Sequence, residues 1–514
     1  MLPLTPRSLD LLRSLRGLEL ECSPALSTWE ASERSARALF AHRLSSSFEV
    51  YPHWQELYEF QQQGVSFLVA NSCYYGGVRA LLEDDPRLGK TVQALATVGV
   101  LGLGGKPAII LCNKALIPYW LEQIPKWCGD IPCLRLDGSA REREAALDEH
   151  LTGECFVVAS WSSLRLVPSL ANYTWSWFIG DEAHVLKNRK SQTSESASRV
   201  ASGAQHRLLL SATFAEAGPQ DYWSPLRTLF AERLLSYWQF VGSFVETSPD
   251  PFAGIKLGGP KNVSLWNDFM EPCHLRRKAE DVVTLPQKQH EEIACELPKE
   301  QQRFYELVKE QVLLELSEGE LYIPSSATRL IRLRQATTCP SSLEPELLGI
   351  NGKLEVLESL LAERQGLLPM IVLCSFRDGC REAVERLTKL GLRAFYLSKG
   401  ENSEEATMLL DTGSVDVIVT SPKIGGVGLN FSRSSWTVFL DEPWSSILAR
   451  QADERTRAIG KEKGVLITKL LAVGTVDTYV ARVLRKKSKR LSEAELASSI
   501  LHYLRSENFD KSLT

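Results

Sequence analysis

A Gly89-Lys90-Thr91 step ends the apolar run of LLEDDPRLGKT and opens the amphipathic stretch VQALATVGVL. These residue types suit a phosphate ester. Gly89 allows close backbone approach at a helix N-terminus. Lys90 offers a cation to the β and γ phosphates, and Thr91 offers a hydroxyl to Mg²⁺. The pattern GxxxxGK[ST] is incomplete because position 84 is Asp, so the step alone also fits an ordinary strand–turn–helix junction. Further along, Phe178-Ile179-Gly180 runs into Asp181-Glu182-Ala183-His184. A carboxylate at a strand end can hold a Mg²⁺ shell, which assigns Asp181 to the metal, and its neighbour Glu182 can orient or deprotonate an attacking water. Two acids also suit a solvated helix start, but a second apolar strand ending in acids, downstream of the first, favours the catalytic reading. Ser211-Ala212-Thr213 ends a third apolar run, where small hydroxyls can bond a carboxylate and sense a γ-phosphate; an ordinary polar turn has the same composition.

These groups need a scaffold that presents strand ends together. From Val78 to Thr213, short apolar runs alternate with amphipathic stretches: Val78–Leu82, Ala108–Cys112, Cys155–Ser160, Trp177–Asp181 and Arg207–Ser211. Runs of this length with helices between them predict buried parallel strands. A second block, from about Leu354 to Leu471, offers Met370–Phe376, Ala394–Leu397, Val415–Thr420, Trp436–Asp441 and Val465–Leu470. The Pro-, Gly- and Ser-rich residues 241–262 predict a loop, and residues 295–345 predict helices. The fold class is therefore α/β, with two doubly wound, mainly parallel lobes joined by a helical insert. The expected boundaries are 1–50 for an N-terminal helical extension, 51–235 for the first lobe, 236–345 for insert and linker, 346–484 for the second lobe and 485–514 for a helical tail.

The 514 residues exceed what one core usually serves, and 24% charged with 44% hydrophobic residues is ordinary for a globular protein. A net charge of −4 argues against a large basic coat for nucleic acid, while leaving room for a local grip. No apolar run reaches membrane-spanning length, and the N-terminus lacks a secretory core. Eleven cysteines without CxxC or zinc spacing suggest reduced thiols in an intracellular compartment, cytoplasmic or nuclear according to the host. The run Arg485–Arg490 (RKKSKR) reads as a solvated helix face, a phosphate-gripping brace or a nuclear import signal.

In this order, the motifs resemble those of the Swi/Snf-like family of superfamily-two helicases, from about Leu57 to Leu484. Leu57–Val65 (LYEFQQQGV) resembles the family's adenine-recognition motif, with Phe60 and Gln61 in place. Ala108–Trp120, Val157–Ser163, Asp181–Asn188 (DEAHVLKN) and His274–Pro286 (HLRRKAEDVVTLP) resemble successive motifs. In the second lobe, Thr420–Asn430 (TSPKIGGVGLN), Asp441-Glu442-Pro443-Trp444 and Gln451–Gly460 (QADERTRAIG) follow at family spacing. The resemblance implies RecA-like lobes that face each other across ATP and Mg²⁺. ATP would be held by Phe60, Gln61, Arg87, Leu88, Gly89, Lys90, Thr91, Gly426 and Gly428. Ser211, Ala212, Thr213 and Gln451 would couple the site to movement, and Arg455 would serve as arginine finger. The groups facing the nucleic acid would be Lys114, Ser160, Trp161, Ser398, Lys399, Ser421 and Lys423, with Trp161 equally suited to a core.

Two departures bear on catalysis. Arg87 stands where the family usually has Gly, adding a phosphate contact or pointing to solvent. Ala458 stands where the family's second arginine belongs, with Arg457 one residue earlier, about 100° round a helix. Either Arg457 reaches the phosphate from a shifted turn or hydrolysis is weakened, and a finger is commonly worth orders of magnitude in rate. The implied function is a monomeric, DNA-dependent ATPase that moves along double-stranded or branched DNA without broad unwinding, remodelling DNA structures in repair or displacing DNA-bound proteins. The alternatives are an ATP-gated DNA clamp with weak turnover and an RNA-directed helicase.

Overall fold

The computed structural model describes residues 51–486 except 152, 216–217, 232–233, 251–253, 284–287, 319–322, 399–402, 423–430, 432 and 444–463. The chain divides into two units between Val282 and Val283.

In the first unit, the apolar runs become strands because each is covered on both faces. The strands are β1 (Arg79–Leu82), β2 (Ala108–Cys112), β3 (Cys133–Leu136), β4 (Phe156–Ser160), β5 (Trp175–Gly180), β6 (Ala204–Leu210), β7 (Val245–Asp250), β8 (Gly254–Pro260) and β9 (His274–Leu275). All except β7 and β8 form one sheet in the order β3-β4-β2-β5-β6-β1-β9, with every pairing parallel. Parallel neighbours need crossovers. Helices α1 (Glu59–Tyr75), α2 (Lys90–Leu101), α3 (Ile117–Cys128), α4 (Ala140–His150) and α5 (Gln192–Ser202) precede or link the strands, and α6 (Trp223–Phe230), α7 (Tyr237–Phe244) and α8 (Val263–Met270) follow β6. One face of the sheet packs Ile109, Leu111, Val157, Ala159, Phe178 and Leu209 into the core.

The second unit contains β10 (Lys288–Cys295), β11 (Met370–Leu373), β12 (Ala394–Leu397), β13 (Val417–Thr420), β14 (Trp436–Phe439) and β15 (Val465–Ala472). They form a parallel sheet in the order β10-β15-β14-β11-β13-β12. Its helices include α9 (Lys299–Glu318), α10 (Ile323–Thr338), α11 (Gly352–Glu363), α12 (Arg377–Lys389), α13 (Ser403–Asp411) and α14 (Val476–Lys486). No helix among the described residues is long and apolar enough to cross a membrane.

Residues 241–262 are not a plain loop. They carry the end of α7 and an antiparallel hairpin, β7–β8, with a register shift between Val245 and Thr247. This exposed pair buries no continuous face, so it needs no apolar alternation, and Pro249, Gly258 and Gly259 mask it in the sequence. Residues 236–345, expected as one insert, give β9 to the first sheet and β10 to the second.

Candidate nucleotide site

A parallel sheet places every strand's carboxyl end on one edge, where open α/β proteins bind ligands. Strands β5, β6 and β1 are adjacent, so the segments after them lie side by side: Asp181-Glu182, Ser211–Thr213 and the loop Glu83–Gly89. The sequence motifs separated along the chain therefore meet through strand order.

The loop after β1 turns twice through left-handed backbone, with φ 70° at both Arg87 and Gly89. At Gly89, a Cβ would also stand 2.3 Å from Gln61 Nε2, so only glycine fits without displacement. Arg87 accepts the same backbone at the cost a side chain carries there, about 1–2 kcal/mol. Leu88 is buried, pinning the loop to the core. Lys90 begins α2 and its Nζ donates to the carbonyls of Asp84 at 2.7 Å and Asp85 at 3.3 Å. Thr91 is half-buried in the next position of α2. Gln61 is buried; its Oε1 accepts from Tyr58 N at 3.1 Å and its Nε2 donates to Leu88 O at 3.4 Å. That ties the start of α1 to the phosphate loop. Phe60 is buried beside it.

Asp181 is almost fully buried. Its Oδ2 accepts from the indole of Trp120 at 3.0 Å and its Oδ1 from Glu182 N at 2.9 Å. Burial, then the neighbouring Glu182, push its carboxyl up to about 6, against the pull of the Trp120 N–H, the Lys90 charge and the Glu182 N–H. Glu182 itself has φ 50° and ψ 45°, a left-handed position that side chains rarely take and that clusters at functional sites. Its Oε2 lies 3.2 Å from His184 Nδ1. Ser211 and Thr213 close a hydroxyl turn: Thr213 N donates to Ser211 Oγ at 3.2 Å and Ser211 Oγ to Thr213 O at 3.0 Å, across Ala212. The residues fit a triphosphate with Mg²⁺. A glycine cradle lies beside Lys90, and Asp181 is a buried carboxylate that a divalent cation would return to its charged form.

Sequence reasoning missed the polar groups beneath the loop. Glu83 and Asp84 are consecutive and both buried. Glu83 accepts from Tyr222 Oη at 2.6 Å and Phe214 N at 3.1 Å, and pairs with His274 Nε2 at 2.8 Å. Burial alone would raise its carboxyl, but the hydrogen bond and charge of His274 and the Tyr222 hydroxyl outweigh it and hold the group below its ordinary range. Asp84 accepts from Arg277 and Gln93. An acidic pair running into a Gly-Lys-Thr turn was the available signal, since buried acids demand partners.

The expected DNA-facing residues divide. Lys114, after β2, is exposed, 3.3 Å from Asp137. Trp161 is not a surface wedge. It belongs to the core, its ring lies against Gly180, and its indole donates to Asp181 O at 2.8 Å. The apolar ring follows the buried strand inward because its one polar atom finds a partner there. Ser160 is also buried, its hydroxyl bonded to Ser162 at 2.8 Å. Ser398 and Ser421 are half-buried at the carboxyl ends of β12 and β13. Lys399, Lys423, Gly426, Gly428, Gln451, Arg455 and Arg457 lie outside the described residues.

In the second unit, the acids after β14 are likewise held. Asp441 is buried against Arg334, and Ser375 N donates to it at 2.7 Å, while Glu442 pairs with Lys469.

Fold and edge together define an α/β protein with a candidate phosphate loop after β1. Residues 60–342, more than half of the 514, match the SNF2-related domain, and the chain belongs to that family. It is 26% identical to "Probable ATP-dependent DNA helicase CHR12" of Arabidopsis thaliana over 84% of this chain and 41% of that protein. It is also 26% identical to the SWI/SNF-related matrix-associated actin-dependent regulator of chromatin subfamily A member 1 of Mus musculus, over 88% of this chain and 47% of that protein. The Sulfolobus solfataricus SWI2/SNF2 ATPase core in complex with dsDNA aligns with 88% of this chain and 96% of that one, at 20% identity and a TM-score of 0.40. The chain thus spans less than half the length of these two curated relatives.

Proposed function

We propose that the chain hydrolyses ATP in response to duplex DNA and uses the cycle to move along it, without broad strand separation. The observation that carries this reading is the gathering of Lys90, Asp181-Glu182 and Ser211–Thr213 at the ends of three adjacent strands, in a chain of the SNF2-related family. Lys90 and the N–H groups at the start of α2 would bind the β and γ phosphates, and Thr91 and Asp181 would hold Mg²⁺. Bound there, the ion neutralises phosphate charge. Glu182, fixed by its backbone turn and beside His184, orients the attacking water. Lys114, Ser398 and Ser421 are the described candidates for DNA phosphates, and branched DNA and DNA-bound proteins are the natural targets of such a motor.

ATP hydrolysis measured with linear duplex, forked and four-way DNA, single strands and RNA tests the proposal. Duplex DNA should stimulate turnover most. Lys90→Ala and Glu182→Gln should each abolish the stimulated rate while leaving the circular dichroism spectrum unchanged. Hydrolysis indifferent to DNA and to both substitutions would remove the motor reading. ATP-dependent DNA retention without turnover would replace it with a clamp.

A further inference from the structure

We infer that Arg277 is the positioning residue of the phosphate loop, an inference that rests on the nucleotide-site reading above. Its guanidinium makes four hydrogen bonds to three residues. Nε donates to Asp84 Oδ1 at 3.0 Å and Nη2 to Asp84 Oδ2 at 2.5 Å, so the start of the loop is held by a two-pronged pair. Nη2 also donates to Gln93 Oε1 at 2.7 Å, and Nη1 to the carbonyl of Phe60. Gln93 passes the connection on, donating to Asp84 Oδ2 and Leu88 O, each at 3.0 Å. Arg277, with Gln93, thereby ties together the second residue of the loop, its Leu88 end, helix α2 and the beginning of α1. The backbone runs alongside as an added strand: Glu83 N donates to Leu275 O at 2.7 Å, Asp85 N to Arg277 O at 3.0 Å and Ala279 N to Asp85 Oδ2 at 3.1 Å. Gly64 makes the space, since a Cβ there would sit 1.8 Å from Gln93 Oε1.

The consequence concerns Lys90. Its ammonium rests on the carbonyls of Asp84 and Asp85 and its backbone starts α2, so both supports are set by Arg277. A planar fork is required to satisfy Asp84 and Gln93 together, and a lysine ammonium lacks it.

The test is binding of a fluorescent ATP analogue, with Mg²⁺, to the full chain, alongside thermal unfolding. Arg277→Ala should weaken binding tenfold or more, and Arg277→Lys should recover only part of the loss. Gln93→Ala should weaken it less, and adding it to Arg277→Ala should cost nothing further, because the two act as one unit. Tyr222→Phe, which removes the hydroxyl that donates to Glu83, should lower the melting temperature and leave affinity within twofold. An Arg277→Ala protein that melts earlier yet binds within twofold of the parent would overturn the inference, as would full recovery by Lys. Should the alanine variant not fold, Arg277→Lys and Gln93→Ala carry the same comparison. No saturable binding by the parent chain would bring down the nucleotide-site reading itself, and the inference with it.

Discussion

The Trp120 indole, fully buried on α3, donates to Asp181 Oδ2 at 3.0 Å and so fixes the carboxylate proposed to hold Mg²⁺. Trp120→Phe keeps a large apolar ring and removes the donor. An unsatisfied buried acceptor costs about 1–3 kcal/mol, so the melting temperature should fall. The chemical effect should be larger in kcat than in KM for ATP, because Lys90 and Gly89, the proposed phosphate-binding residues, are untouched. Steady-state ATPase kinetics with DNA present decide this; a change confined to KM would contradict the assignment.

Arg87 holds φ 70° in a loop where Gly89 has the same angle. Arg87→Gly should relieve the left-handed strain, offset in part by the greater freedom of glycine in the unfolded chain. The expected net gain is about 0.5–1 kcal/mol, a rise of about 2 °C for a unit of this size. Gly89→Ala should do the reverse and also weaken ATP binding, since the new Cβ meets Gln61. Paired melting curves and ATP titrations test both, and an Arg87→Gly chain that melts earlier would show that its side-chain contacts outweigh the strain.

The legible parts of this chain are those that burial writes into sequence. Strands β2, β4 and β5 are covered on both faces, so AIILC, FVVAS and WSWFIG read directly as strands. The edge strand β10, KQHEEIAC, has a sheet partner on one side only and alternates exposure, so its charged residues hide it, and β9 is two residues long. In the site, Lys90, Asp181 and Glu182 announce themselves by residue type at strand ends. Arg277 lies 193 positions from Asp84, and nothing local to either residue says they will meet. Trp161 shows the opposite difficulty, since an aromatic after a strand serves a core or a surface equally well until its neighbours are known. The left-handed turn at Glu182 was invisible for the same reason: it is imposed by the loop's fit, not by the residue's preference.

His206 lies on β6, stacked on Trp177 at 4.2 Å, and its Nδ1 accepts from Val78 N. Burial, then the charge of Arg79, lower its pKa from 6.5 to about 4. The unfolded chain therefore takes up this proton first. The contribution to stability is complete above pH 6.5 and is lost as pH falls toward 4, by at most roughly 3 kcal/mol. Asp181, raised to about 6, opposes it: between its ordinary 3.8 and about 6 the folded form holds the extra proton, and stability falls as pH rises. The prediction is accordingly a difference. In urea unfolding between pH 7 and 4.5, His206→Gln should be less stable than the parent at pH 7, and the gap should narrow steadily on acidification. A constant gap would mean that His206 titrates normally in the folded chain.

Lys353 is fully buried on α11, and its ammonium has three acceptors: Asp477 Oδ2 at 2.5 Å, Leu440 O at 2.7 Å and Thr338 Oγ1 at 3.1 Å. Three donors meet three acceptors, so the charge is matched and the chain just before Asp441 is anchored. Lys353→Met strands Asp477 as a buried, uncompensated carboxylate, and the expected loss is about 3–5 kcal/mol. Asp477→Asn strands the ammonium in turn, and its single amide oxygen can serve only one of Thr337 Oγ1 and Ala472 N, which donate to different oxygens of Asp477. With both replaced, neither charge is left alone, so the double variant should lose clearly less than the sum of the single losses. A double-mutant cycle in denaturant unfolding reads this directly, and additive losses would mean that the pair does not interact. Because Leu440 adjoins the acidic residues after β14, Lys353→Met should also free Asp441 from its fixed position, and hydrogen exchange at Ser375 N, which donates to Asp441, should quicken.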